Sequence, residues 1–343
     1  MIKKVVILGG GFAGAYIAKH LEGKFETTLI DTKDYFEYTP SVLRTLVEPK
    51  HVKKIQALHT HYLHKAHVVR DHIKEIDEKK VVGAHIYPYD YLVICTGSRY
   101  NSPIKESDIV ITSRAAELRS YSQKLIKAKE VLIIGGGLVG VELAAEIAQT
   151  FPQKEITLIQ SKERLIERNH PKASLYVQKF LEKRKVKIIF NERIEKSKDN
   201  KYITKSGKEF SAGIAFLCTG IIPNYEHLEK FFSKSLDAKK QLCVNKHLQV
   251  KNHPTIFAAG DITDVFEEKV AQVAEKHAKM VVENIERLEN NQPLAEYLPK
   301  PRPMVISLGK WDGIFVYKNF MITGLIPGIL KSILEWEKMR RYR

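Results

Sequence analysis

Val5-Val6-Ile7-Leu8 runs into Gly9-Gly10-Gly11-Phe12-Ala13-Gly14, and the pattern returns where Val131-Leu132-Ile133-Ile134 runs into Gly135-Gly136-Gly137-Leu138-Val139-Gly140. An apolar run closed by G-x-G-x-x-G and followed by a helix-forming stretch is the strand–turn–helix of a dinucleotide fold. In the first copy Gly9 permits the tight turn, Gly11 lets backbone approach a pyrophosphate, and Gly14 brings the helix against the strand. The N–H groups of Gly10, Phe12 and Ala13 belong to the same phosphate-facing turn and helix start. A second strand, Thr27-Thr28-Leu29-Ile30, ends in Asp31, where a carboxylate accepts hydrogen bonds from both hydroxyls of an adenosine ribose. Two such units in one chain imply two dinucleotides that exchange electrons.

In the second copy Gly135, Gly137 and Gly140 take the three glycine roles, but its second strand, Ile156–Ile159, ends at Gln160 instead of an acid. A neutral amide does not repel a 2′-phosphate, and Lys162 and Arg164 stand close in sequence. This site is expected to take NADH, NADPH or both.

The two halves also end alike. Tyr91–Cys95 is an apolar strand closing in Thr96-Gly97, and Ile214–Cys218 closes in Thr219-Gly220. Residues 101–113, with Pro103, read as a crossing between domains. The organisation expected is a first dinucleotide domain over 1–103 and 236–298, a second over 104–235, and a C-terminal segment over 299–343. Thr255–Ala259 leads as a strand into Gly260-Asp261, which returns the chain to the first domain with a carboxylate placed for cofactor hydroxyls. A helix from about Val270 to Leu288 follows, and its positive end favours negative charge on a bound ring. The fold class is α/β: two Rossmann-like domains plus a small C-terminal α+β segment ending in an amphipathic helix.

That last helix is expected over 326–343, with Ile326, Ile329, Leu330 and Ile333 on one face and a basic end, Lys338 to Arg343. It reads either as an interfacial helix at a membrane or as one sealing a core or dimer contact. No apolar run nears the ~20 residues of a membrane-spanning helix. Met1-Ile2-Lys3-Lys4 leads straight into the first strand, so no targeting peptide is expected, and Ile2 replaces the glycine of a myristoylation signal. A cytosol-facing protein is implied.

With 343 residues, 44% of them hydrophobic, the chain has ample material for cores. Cys95, Cys218 and Cys243 form no close pair, which excludes a disulfide framework, a zinc ribbon and a dithiol centre. The net charge of +16 favours anionic partners without choosing among them, and with no basic-aromatic patch nucleic acid is not the expected one. His59, His61, His64 and His67 cluster without an acidic or thiol co-ligand, so no metal site is expected. Glu142, just past the second glycine loop, would repel a pyrophosphate and is expected to face the nicotinamide and flavin. His277 reads either as a flavin-tuning residue or as a packed polar one.

Together, Gly9–Gly14, Asp31, Thr96-Gly97, Gly135–Gly140 with Val141-Glu142-Leu143-Ala144-Ala145-Glu146, Thr219-Gly220 and Gly260-Asp261 resemble the two-dinucleotide flavoproteins. Within these the chain is similar to the apoptosis-inducing-factor-like group that includes the ferroptosis suppressors, along nearly its whole length. The resemblance implies a glutathione-reductase-like fold, FAD held by Gly9–Gly14, Arg44, Ile73 and Asp261, and catalytic roles for Glu142 and His277. It implies NAD(P)H:quinone oxidoreduction, peripheral on a membrane or lipid-droplet surface, without thiol chemistry: Ser41 stands where thiol-dependent relatives carry a cysteine. Two alternatives remain, a soluble reductase of ferredoxin or rubredoxin and a nucleic-acid-binding or signalling flavoprotein.

Overall fold

A computed structural model describes residues 2–99, 114–198 and 201–343; the crossing expected at 101–113 lies outside them. Strand β1 (Lys4–Leu8) feeds helix α1 (Phe12–Leu21) and then β2 (Glu26–Asp31). After short helix α2 (Arg44–Val47) come β3 (His67–Arg70) and β4 (Tyr91–Ile94). Val5, Val6, Ile7 and Leu8 are all buried, because a parallel strand covered on both faces has no polar side to show. Beyond β5 (Ser98–Arg99) and α3 (Arg114–Lys127), the second unit repeats the first as β6 (Glu130–Ile134), α4 (Leu138–Thr150), β7 (Glu155–Ile159), β8 (Lys187–Ile189) and β9 (Ile214–Leu217). Its sheet order is β8-β7-β6-β9.

The repeat extends to single bonds. Gly9 N donates to Ile30 O and Gly135 N to Ile159 O, both at 2.8 Å, while Cys95 N reaches Leu8 O at 2.8 Å and Cys218 N reaches Ile134 O at 2.7 Å. Each half inserts a three-stranded antiparallel meander before its closing strand.

The return crossing falls earlier than 236. Strand β10 (Ile222–Pro223) pairs antiparallel with β5, and Asn224 Nδ2 donates to Thr96 O at 2.7 Å. Leu228 and Phe232 are then buried against Val6, Leu8 and Ile30 of the first sheet, so residues 224–235 pack with the first domain and not the second. Strand β11 (Ile256–Ala258) completes that sheet, in the order β11-β4-β1-β2-β3. Helix α5 (Ala271–Glu289) buries Val273, Ala274, Ala278, Val281 and Ile285.

The C-terminal segment is a three-stranded meander, β12 (Met304–Ser307), β13 (Gly313–Tyr317) and β14 (Phe320–Thr323), followed by α6 (Leu325–Arg340). The sequence marks this segment as α+β ending in a helix but gives no sign of β14, whose Phe320-Met321-Ile322-Thr323 follows a turn at Lys318 (φ +51°) that carries no glycine.

Helix α6 is inside out. Its buried side carries Pro327, Gly328, Glu335 and Met339, and Lys331, Glu335 and Lys338 point inward to Glu142, His51 and Glu275. Ile326, Ile329, Ile333 and Trp336 face outward, 68%, 41%, 53% and 63% exposed. The helix therefore seals the body with ion pairs and presents its apolar stripe to the outside.

Candidate functional site

The first glycine loop opens on a cavity of about 950 Å³, at the upper end of the range for small-molecule sites. Gly9 adopts φ +96°, and a Cβ there would lie 2.5 Å from the Cys95 carbonyl oxygen. A Cβ on Gly14 would overlap the Gly9 carbonyl oxygen. Beside Gly11, by contrast, a Cβ would meet no protein atom within 4 Å; the space belongs to whatever fills the cavity. Gly11 caps α1 without a side-chain hydrogen bond, and the first turn holds no acid. The free N–H groups of that turn fit a pyrophosphate.

Asp31 is buried at the cavity wall, and its Oδ2 accepts Gly10 N at 2.8 Å. Burial alone would raise its carboxyl, but the Lys33 ammonium, His59 and the Gly10 amide hold it well below the usual carboxylate range. Phe12, Ala13, Ile73, Thr96, Gly97, Gly260 and Asp261 line the same cavity. Ser98 Oγ donates to Asp261 Oδ2 at 2.5 Å. The first turn of α5 reaches the cavity as well, without a side-chain cap or an acid. Its positive end, with Lys269 beside it, fits the electron-rich side of a flavin ring. Burial lowers the Lys269 pKa, and its Nζ donates to Thr263 O at 2.6 Å.

Three expected site residues take other positions. Arg44 stands off the cavity lining: its guanidinium donates to Glu146 Oε1 on α4 at 2.9 and 3.1 Å and to Gly309 O at 3.2 Å. It ties three segments together. His277 is fully buried behind the lining, where Nδ1 accepts Gly260 N at 3.1 Å and Nε2 lies 2.8 Å from Glu267 Oε1. The bond from Gly260 fixes the tautomer, so Nε2 carries the proton and donates to Glu267. His277 thus supports the turn at Gly260 (φ +82°) and does not line the cavity. Arg164, expected to attract a 2′-phosphate, is spent on the backbone oxygens of Glu167 and Asn169.

The second loop copies the first. Gly135 has φ +112°, a Cβ on Gly140 would overlap the Gly135 carbonyl, and the space beside Gly137 is open. Gln160 fills the position of Asp31: its Oε1 accepts Gly136 N at 3.2 Å while Nε2 donates to Arg164 O at 3.1 Å. The amide is buried and turned inward. Gly135, Gly137, Gly140, Gln160, Thr219 and Gly220 do not line the large cavity; from this loop and helix only Leu138, Val139 and Glu142 do.

Glu142 does reach the cavity, and it has a partner the sequence did not disclose. Lys331 Nζ on α6 lies 2.7 Å from Glu142 Oε1, which also accepts Ser307 N at 2.8 Å. Both side chains are mostly buried, 15% and 13% exposed, and both line the cavity. The pair is 189 residues apart, so no local pattern marks it. The histidine cluster disperses: His59 turns in toward Asp31, while His61, His64 and His67 are exposed. Burial raises the Cys95 thiol and pushes Cys218 up to about 12, so both stay protonated.

The family model for pyridine nucleotide-disulphide oxidoreductases matches residues 3–278. The chain is 30% identical to ferroptosis suppressor protein 1 of Homo sapiens, covering 98% of this chain and 96% of the relative. It is 32% identical to apoptosis-inducing factor homolog B of Dictyostelium discoideum, covering 94% and 91%. Among solved structures, the sulfide:quinone oxidoreductase from Aquifex aeolicus has a TM-score of 0.84 at 20% identity, covering 99% of this chain and 91% of that one. NDH2 from Plasmodium falciparum in complex with NADH has a TM-score of 0.83 at 15% identity, covering 97% and 94%. The chain belongs to the pyridine nucleotide-disulphide oxidoreductase family, beside the ferroptosis suppressors and apoptosis-inducing-factor homologues, and is an FAD- and NAD(P)H-binding oxidoreductase.

Proposed function

We propose that the chain reduces a quinone with NAD(P)H, working on a lipid surface gripped by α6: NAD(P)H, one proton and the quinone give NAD(P)+ and the quinol. The observation that carries this reading is Leu334, which lines the cavity and stands beside the exposed Ile333 and Trp336 of the outward apolar stripe. An apolar acceptor resting in lipid meets the cavity there without crossing water. FAD, when bound, supplies the hydride and electron chemistry. The chain's own residues bind and position: α1 and Asp31 hold the adenosine half, α5 holds the ring end, and Glu142 with Lys331 joins the nucleotide domain to α6 at the cavity wall. Because Gln160 places no carboxylate outward, the second site takes NADH and NADPH alike.

Anaerobic titration of the holoprotein with NADH, and separately NADPH, should bleach the visible flavin band, and a water-soluble ubiquinone should restore it. Bleaching without recovery by any benzoquinone or naphthoquinone would overturn the quinone reading.

A further inference from the structure

His59 is fully buried, yet nothing in the proposed chemistry uses it. Its Nδ1 lies 2.5 Å from Tyr62 Oη, and its Nε2 lies 3.5 Å from Asp31 Oδ2 with no closer partner among the described residues. A bare Nε2 lone pair facing a buried carboxylate would be repelled, so the consistent tautomer has Tyr62 donating to Nδ1 and Nε2–H pointing at Asp31. The ring also presses on the glycine loop, since a Cβ on Gly10 would run into both His59 and Asp31.

Tyr342, on the C-terminal side of α6, closes the arrangement. It is buried and meets Tyr62 edge-on, with ring centroids 4.8 Å apart. It also stacks on Phe36 at 4.1 Å, and Phe36 packs edge-on at 5.2 Å against Phe12, the first residue of α1 and part of the cavity wall. Two arms therefore run from one side chain to the same glycine loop, through Tyr62, His59 and Asp31 and through Phe36 and Phe12. The neighbours of Tyr342 are pinned to the first domain: Lys19 Nζ donates to Arg341 O at 2.7 Å, and Arg343 donates to Lys53 O and Lys54 O at 2.8 Å.

We infer that His59, Tyr62 and Tyr342 form a cofactor latch that orients Asp31 for the adenosine ribose and couples retention of FAD to docking of the C-terminal residues. Asp31 uses one oxygen on Gly10 and the other on Thr32 Oγ1 and Lys33 N, both at 3.3 Å. Its lone pairs serve a ribose only while the carboxylate plane is fixed, and His59 fixes it from behind. His59 acts through Asp31 and is a positioning residue.

The test is the FAD dissociation constant of the full-length holoprotein by equilibrium ultrafiltration, with thermal unfolding measured in parallel. Tyr62→Phe deletes one oxygen and keeps the ring; it should weaken FAD about tenfold, as should His59→Phe and Tyr342→Ala. Tyr342→Phe keeps both ring contacts and should restore native affinity, and His59→Phe should add little in an Asp31→Asn background. Dissociation constants within about twofold of the parent in both Tyr62→Phe and Tyr342→Ala would overturn the latch. A lowered melting temperature with that affinity would mark these residues as packing alone.

Discussion

Glu142 shows what a single residue contributes and how much of that a sequence discloses. Its position after the glycine loop was legible, because the loop's geometry is local and each glycine has a steric reason. Its partner was not, because Lys331 arrives from the far end of the chain. Glu142→Gln leaves Lys331 mostly buried and unpaired, a change that costs roughly 3 kcal/mol in comparable settings. The expected result is a lower melting temperature together with slower flavin reduction by NADH, read by scanning calorimetry and anaerobic stopped flow. Gln160 was legible as a departure from an acid, whereas the inward turn of its amide depends on Gly136 and Arg164. Since the Arg164 guanidinium is occupied by Glu167 and Asn169 carbonyls, Arg164→Ala should leave the ratio of KM for NADPH to that for NADH within about twofold. A larger rise in that ratio would return Arg164 to the phosphate site.

Among the elements, α6 was foreseen as amphipathic, with interface and seal set against each other. The helix seals the body through a polar inward side, where Lys331 and Lys338 meet Glu142 and Glu275 and Glu335 bonds to His51, and it leaves its apolar stripe exposed. Periodicity reports an apolar face but not which way it points. Deleting 325–343 would therefore strip buried Met339 and Tyr342 from the first domain and report on folding. The sharper test is Ile326→Glu, Ile329→Glu and Ile333→Glu together, all at exposed positions. The triple variant should keep its flavin and melting temperature and lose sedimentation with liposomes; equal sedimentation would sink the proposal that this stripe meets lipid. The last strand was less readable, because β14 follows a glycine-free turn at Lys318.

At the scale of the molecule, the repeated sheet and the C-terminal segment could be read because their signals repeat every few residues. The return crossing could not, because only burial against Val6 and Ile30 assigns Leu228 and Phe232 to the first domain. Burial also sets the response to acid. His277 is held below its ordinary pKa chiefly by burial, and His227 is pushed down to about 4 by burial, with His72 adding. The unfolded chain takes up these protons near pH 6.5, the folded chain only lower, so between the two values the unfolded state binds more protons. The stability they confer is complete above about pH 6.5 and drains away as pH falls toward 4. Melting temperature should be level above about pH 7 and fall below it. Flavin release should accompany the fall, because a proton on His277 Nδ1 displaces the Gly260 bond; flavin held firmly down to about pH 4 would contradict this. The outward stripe of α6 beside Leu334 bears, finally, on kinetics. If acceptor reaches the cavity from a film and not from bulk solution, turnover follows its mole fraction in that film, and adding empty vesicles at constant total quinone should slow the enzyme by surface dilution.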